Sequence, residues 1–542
     1  MDYRRTLAEA TEKEVDDWFA TTNITLGAQL KEKEEKEAKL LLYTWKDAFA
    51  SQIEEMPVTD LVEHRIPVYP GAQSRRAKDK IYTKEERDWL DVNLPQLERA
   101  GVIGRSESPW SHRRKFVRKK DGELRMVHVF CPVNEATMLS SYLMKRIEPV
   151  INNLMLSKYS IYFQADAANG FWAVPMYPPH AYRTSFSTYD GERQYLRMGQ
   201  GLSGAPQTYT WMKDIFSGYI PAPNPEPTLN KSFSGAFKCF VDDDFGAHPD
   251  FSPQFEFLHN HYFPRLMWAK LTLKGSKSHF FLDKISPLRY ESDGSRLRPS
   301  LDKVEVIREY PRPTCLAEIK QFLYLTIFLQ QCIPARVEHA RILKEAVQYT
   351  DNSDGIMNRT WIPNGKRGHP KRVECRMKWK EKQEKAFTSV KTSIIENVVY
   401  GADETKQYHL MTDASKYAIG GVLFQLPNIL AGTNMSVAMR NEMKVIMFIS
   451  KRLLSAETRY STMEWEALAI LRCLEEVWWL ILGSPYATKV YTDHSALVSL
   501  LKKDDAHGRI VRWQVRLSEY DVEYILSFSE ISARIVMAMA NI

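Results

Sequence analysis

The sequence is short of cysteine and has no long apolar run, and each lack removes a class of protein. Its six cysteines (Cys131, Cys239, Cys315, Cys332, Cys375 and Cys473) are scattered and never form a CxxC pair. Neither a zinc cluster nor a disulfide framework is implied. A reducing intracellular compartment, cytoplasmic or nuclear, is the expectation. The longest notable apolar run, VWWLILG (477–483), is far too short to span a bilayer, so no membrane partner is expected. The N-terminus is charged from its second residue, unlike a secretory signal. No internal repeat and no low-complexity tract stands out.

What is present is material for more than one core. At 542 residues, 44% hydrophobic and 12% aromatic, the chain is too long for a single core, and roughly two to four domains are expected. A net charge of +7 is a mild excess that suits a polyanion partner. The excess is concentrated in SHRRKFVRKK (111–120), with six basic residues and no acid, and in 364–380, with seven against one. A solvated face is the ordinary reading of one such patch.

Punctuation divides the chain. Residues 1–50 read as a charged helical extension, and 51–285 as a mixture of short strands and helices, the order of an α+β domain. Residues 286–348 are mainly helical. The Gly-, Pro- and Asn-rich 349–378 reads as a basic linker, 379–404 as a connecting helix, and 405–542 as a second compact unit. In that unit QYHLMTD reads as a strand ending at Asp413, with YAIGGVLFQ as its hairpin partner. Residues 461–483 read as a helix burying Ala467, Leu471, Leu474, Trp478 and Ile481. TKVYTD reads as a strand ending at Asp493, and SALVSLL as a helix after it.

Carboxylates at strand ends carry the chemistry. KCFVDDDFGAH (238–248) sets three aspartates in a row between apolar flanks, and YSIYFQAD is an apolar strand ending in Asp166, 76 residues before Asp242. That interval is ample for a helix and another strand, so the acids can meet on adjacent strands. Acids brought together repel one another and lose hydration unless something compensates. Two divalent cations about 4 Å apart do so, and they support in-line displacement at phosphorus. Mg²⁺ suits the role because it takes oxygen ligands and retains exchangeable waters. A strand-end Asp alone is more often a turn or cap residue. A calcium loop would need spaced ligands and a closing Glu that the Asp run lacks.

Five ordered segments then resemble one family. SESPW (106–110), KKDGELR (119–125), FQADAANGFW (163–172), MGQGLSGAPQTY (198–209) and FVDD (240–243) look like successive motifs of a reverse transcriptase, closest to the gypsy class of long-terminal-repeat retrotransposons. TDASKYAIGGVLFQ (412–425), 448–469 and YTDHSALVSL (491–500) are similar to that family's RNase H. The resemblance implies a right-hand polymerase with fingers, ferredoxin-like palm and thumb, followed by an RNase H-like α/β domain with a mixed sheet. It implies a pol fragment without protease or integrase. The implied activity is RNA-directed DNA polymerisation with Mg²⁺, two ions per site and Mn²⁺ as a substitute. The implied partners are an RNA template, a DNA primer, an RNA–DNA hybrid and dNTPs.

Carried over residue by residue, the polymerase triad falls on Asp166, Asp242 and Asp243, with the Ala167 carbonyl completing a metal shell. Asp244 falls outside the triad and is expected to tolerate replacement. Phe171 would exclude a 2′-hydroxyl, Gln200 and Gly201 would face the nucleotide, and Lys119 with Arg125 would clamp the triphosphate. Lys277 would act as a general acid. In the RNase H unit Asp413, Glu466 and Asp493 match three metal-binding acids, Glu466 being preferred to Glu464 by register. Two departures stand against the pattern. Val129 and Cys131 replace an Asp and an Arg, and Arg534 falls where a fourth acid is expected, which weakens the RNase H site. A polymerase with an impaired RNase H-like domain, and a decayed relic that binds nucleic acid without catalysis, both remain open.

Overall fold

Five strands organise the first unit, which ends at Ile285. They are β1 (Thr25–Leu26), β2 (Ile161–Asp166), β3 (Ala236–Phe240), β4 (Asp243–His248) and β5 (His279–Leu282), in the order β1-β5-β2-β4-β3. Neighbours are antiparallel except β1 and β5, which are parallel. The computed structural model of the chain describes residues 3, 5–50, 52–77, 81–118, 122–144, 147–154, 159–222, 235–286, 290–292, 296–327, 329–350, 358–362, 371–397, 399–426, 443–492, 494 and 509–526.

β2 carries Ile161, Tyr162, Phe163 and Ala165 into the interior, the near-continuous apolar run of a strand covered on both faces. Helix α1 (Ala205–Phe216) packs against β3. It opens with Pro206 in its first turn, where the missing N–H leaves no helical bond unmade. The described residues among 1–50, expected as a charged helical extension, are instead built into this unit. Their charges face water while Leu41, Leu42 and Trp45 are fully buried, Trp45 stacking on Phe263 at 5.8 Å. Apart from the sheet, Arg113–Arg118 and Leu124–Val129 form a two-stranded antiparallel pair that carries Arg113, Arg114, Lys115 and Arg118 of the first basic patch.

The second unit, from Ser286 onward, holds the helices Leu301–Arg308, Leu316–Ile327 and Arg336–Lys344 in its first part. The expected linker departs from its reading. Val347–Thr350, Asn358–Ile362 and Lys371–Met377 form an antiparallel three-stranded sheet with Lys371–Met377 in the middle. The Gly- and Pro-rich residues 363–370 that signalled a linker fall between two of these strands. RTWI and RVECRM supply the β-branched and aromatic residues that favour extended pairing.

Next comes a mixed sheet of β6 (Tyr408–Ala414), β7 (Ala418–Gln425), β8 (Lys444–Arg452), β9 (Thr488–Thr492) and β10 (Val522–Leu526), in the order β8-β7-β6-β9-β10. β6 and β7 form the expected hairpin, and β9 joins β6 in parallel. Helix α2 (Thr462–Ile481) packs on β6 and β7, and α3 (Arg509–Leu517) packs on α2. Ser461 and Glu464 start α2 as a capping box. Its buried face corrects the expected one at a single position. Trp478 is 46% exposed, and Val477, fully buried, takes its place. From Leu474 the buried row steps by three to Val477 rather than by four, and both steps lie on one helical face. Among the described residues no helix is long and apolar enough to cross a membrane.

Candidate active sites

The acidic site of the first unit is made by strand register. β2 and β4 pair so that Asp166 lies directly across from Asp243. β3 and β4 pair Phe240 with Asp243, which leaves Val241 and Asp242 as the two-residue turn. Val241 adopts a φ of +51°, an uncommon and strained choice for a β-branched residue. The turn is tied to the end of β2, because the Ala167 N–H donates to the Asp242 carbonyl at 3.0 Å. The segment before β5 supports it from the other side, Lys274 N–H donating to the Asp166 carbonyl at 2.9 Å. Residues far apart in sequence are thereby brought together at one end of two neighbouring central strands.

Side chains alternate across a strand, so Asp243 and Asp244 face opposite ways. Asp244 corrects its expectation. It is 1% exposed, ion-paired with Lys213 Nζ of α1 at 2.5 Å, and accepts a hydrogen bond from the Tyr262 hydroxyl at 3.0 Å. Burial opposes the Lys213 charge, but the Asp244 carboxylate outweighs it and raises the lysine's pKa. A run of three acids gave no sign of this partner, which lies 31 residues upstream on a helix. A lysine in the otherwise apolar face of α1 is the one signal that could have found it.

Crowding shifts the other two acids. Burial, opposed by Lys213 and reinforced by Asp166, raises Asp242 to about 6. Burial and then repulsion from Asp166, Asp244 and Asp242 raise Asp243 to about 7. Lys277 Nζ sits 2.8 Å from Asp166 Oδ2 and supplies a local counter-charge. Among the described residues no three His, Cys, Asp or Glu side chains converge as a ready-made metal cage. The donor set nevertheless fits a hard divalent cation. It is all carboxylate oxygen, and a cation relieves the desolvation and repulsion that these shifts record.

The nucleotide-facing candidates also come together. Arg125, on the Leu124–Val129 strand, donates to Gln200 Oε1. Gly201 has a φ of +96°, which favours glycine, and its carbonyl accepts from Asn134 Nδ2 at 2.9 Å. Asn134 Oδ1 takes the Ser203 N–H at 3.0 Å, so this residue, not singled out in the sequence, anchors the loop on both sides. Phe171 is half-buried against Tyr209, ring edge to ring face at 5.4 Å. Lys119 lies outside the described residues.

In the second unit Asp413 sits on β6 across from Gly420, and Glu466 is 5% exposed on α2. Glu464 is engaged elsewhere: it caps α2 through Ser461 and pairs with Arg509 at 2.7 Å. β9 ends at Thr492. Asp493, the SALVSLL segment and Arg534 lie outside the described residues.

Comparison with known proteins agrees with this architecture. The family described as the RNase H-like domain found in reverse transcriptase matches residues 403–520. The retrovirus-related Pol polyprotein from transposon opus of Drosophila melanogaster is 27% identical over 455 residues, covering 83% of this chain and 41% of that protein. The corresponding polyprotein from transposon gypsy of the same species is 24% identical over 504 residues, covering 90% and 44%. The chain thus spans less than half the length of these relatives. A foamy viral protease-reverse transcriptase solved in complex with an RNA/DNA hybrid superposes with a TM-score of 0.72 at 16% identity, covering 97% of this chain and 64% of that one. The fold is therefore that of a reverse-transcriptase polymerase followed by an RNase H-like domain, and the homologues are retrovirus-related Pol polyproteins of transposons, gypsy among them.

Proposed function

We propose that the chain is an RNA-directed DNA polymerase of retrotransposon origin that extends a DNA primer on an RNA template, with an attached RNase H-like domain of reduced activity. The observation that carries this reading is the pairing of Asp166 with Asp243 across β2 and β4, with Asp242 held in the adjoining turn. Such a cluster of crowded carboxylates at the ends of paired strands is suited to two-metal nucleotidyl transfer.

Asp166 and Asp242 would hold both Mg²⁺ ions, with the Ala167 carbonyl in the shell and Asp243 contributing less directly. When bound, the ions supply charge neutralisation for the primer 3′-oxygen and the departing pyrophosphate. The chain's own groups do the rest. Arg125 and Lys119 orient the triphosphate, a role suited to charge-assisted contacts. Gln200 and Gly201 form the floor beneath the nucleotide, and Phe171 excludes a ribose 2′-hydroxyl. Lys277, already at the acidic edge, delivers a proton to pyrophosphate. The basic segments grip the duplex through its phosphates, so binding weakens as salt rises.

Asp413, Glu466 and Asp493 would bind Mg²⁺ for cleavage of the RNA strand of a hybrid. Arg534 repels a cation where a fourth acid is expected, which is the reason for the reduced activity. Primer extension on an RNA template with Mg²⁺ tests the reading, with Asp242→Asn as control. Extension by the wild type and none by the variant is expected. A folded wild type that extends nothing leaves the rival reading, a nucleic-acid-binding relic.

A further inference from the structure

Helix α1 sets two polar side chains one turn apart beneath the acidic hairpin. Lys213 is taken by Asp244. Tyr209 is fully buried, and its hydroxyl has no hydrogen-bond partner among the described residues. Asp242 Oδ1 is equally sealed from solvent and equally unbonded. Both lie within 2.6 Å of the position that a Cβ on Gly170 would take. A phenol hydroxyl donates and a carboxylate oxygen accepts, so the pair is complementary. Two unsatisfied polar atoms in the interior are costly to leave apart. The hydrogen that Gly170 carries in place of a side chain leaves space for a small swing of the phenol or for one bridging water.

We propose that Tyr209 is a positioning residue whose hydroxyl holds Asp242 Oδ1, directly or through one water, and so aims Oδ2 at the divalent cation. The proposal rests on the functional reading above and assigns Tyr209 no contact with substrate. Gly170 belongs to the same device, since any larger residue would enter the space the two atoms share. A bland alternative exists, in which the phenol merely fills a slot beside Phe171 and its hydroxyl does nothing.

Tyr209→Phe separates the two, because it removes only the hydroxyl and keeps the ring against Phe171. The full-length chain and the variant are compared by calorimetric titration with Mn²⁺ and by primer-extension kinetics, with circular dichroism to verify folding. The expected result is Mn²⁺ affinity about five- to tenfold weaker, the scale of one ordinary hydrogen bond. A similar fall in kcat should accompany it, with KM for dNTP unchanged. Identical Mn²⁺ affinity and kcat in the two proteins would overturn the role of Tyr209 alone. A folded wild type that neither binds Mn²⁺ nor extends a primer overturns the functional reading itself, and this proposal with it. If the wild type binds Mn²⁺ without extending a primer, the titration alone decides the role of Tyr209.

Discussion

The two acidic sites differ in how much of each is built from paired strands. In the first unit the three acids sit on neighbouring strands and the turn between two of them, with register fixing Asp166 against Asp243. In the second, Asp413 comes from a strand and Glu466 from a helix. The remaining members proposed for that set are Asp493 and the position that Arg534 occupies. A site made by register survives as long as its hairpin does. A site assembled from separate elements is lost when one element changes, and a single arginine in place of an acid is enough to unbalance it.

That contrast can be broken at several points. The largest effect is expected from Asp242→Asn, which should lower primer extension about a thousandfold, several kcal/mol of lost charge stabilisation, read as single-turnover rate. Next is the buried pair beneath the hairpin. Lys213→Met alone or Asp244→Val alone should each destabilise by about 3–5 kcal/mol in urea unfolding, because each strands a buried charge. The double variant should recover most of that loss. If both single variants are mild, Asp244 is the tolerant position that the sequence implied.

Arg534→Asp should raise hybrid cleavage about tenfold, the effect of ~1.4 kcal/mol at the barrier. No gain would remove the proposed cause of the weak RNase H site. A smaller effect is expected from pH. Asp242 and Asp243 are raised from 3.8 to about 6 and about 7, so the folded state holds their protons more tightly than the unfolded one. The stability this confers is complete below pH 3.8 and disappears as pH rises through 6 to 7. A divalent cation relieves the repulsion that remains. Mg²⁺ should therefore raise the melting temperature more at pH 8 than at pH 5, and Asp242→Asn should flatten the difference. The smallest effect belongs to α2, where Trp478→Ala should change stability by less than about 0.5 kcal/mol and Val477→Ala by more.

Local signals carried much of this architecture. An apolar run ending in Asp166, the QYHLMTD and YAIGGVLFQ hairpin and the helical spacing of 461–483 are short-range patterns, and each element forms where its pattern sits. Long-range pairing was not legible. Nothing near Asp244 announces Lys213, and the strand alternation turns inward the third aspartate of the run, which the sequence marks only as outside the triad and tolerant of replacement. The three strands between Val347 and Met377 are hidden because breakers between strands resemble the breakers of a linker. Trp478 was misplaced because two helical steps, three and four, both satisfy one face, and only packing chooses between them.

The most direct measurement assays one preparation of the full-length chain on a single RNA–DNA primer-template for both activities at once, in Mg²⁺. Robust extension of the DNA strand with weak cleavage of the RNA strand is the expected result. Robust cleavage without extension would contradict the account, since the intact site would then be the one carried by Asp413 and Glu466.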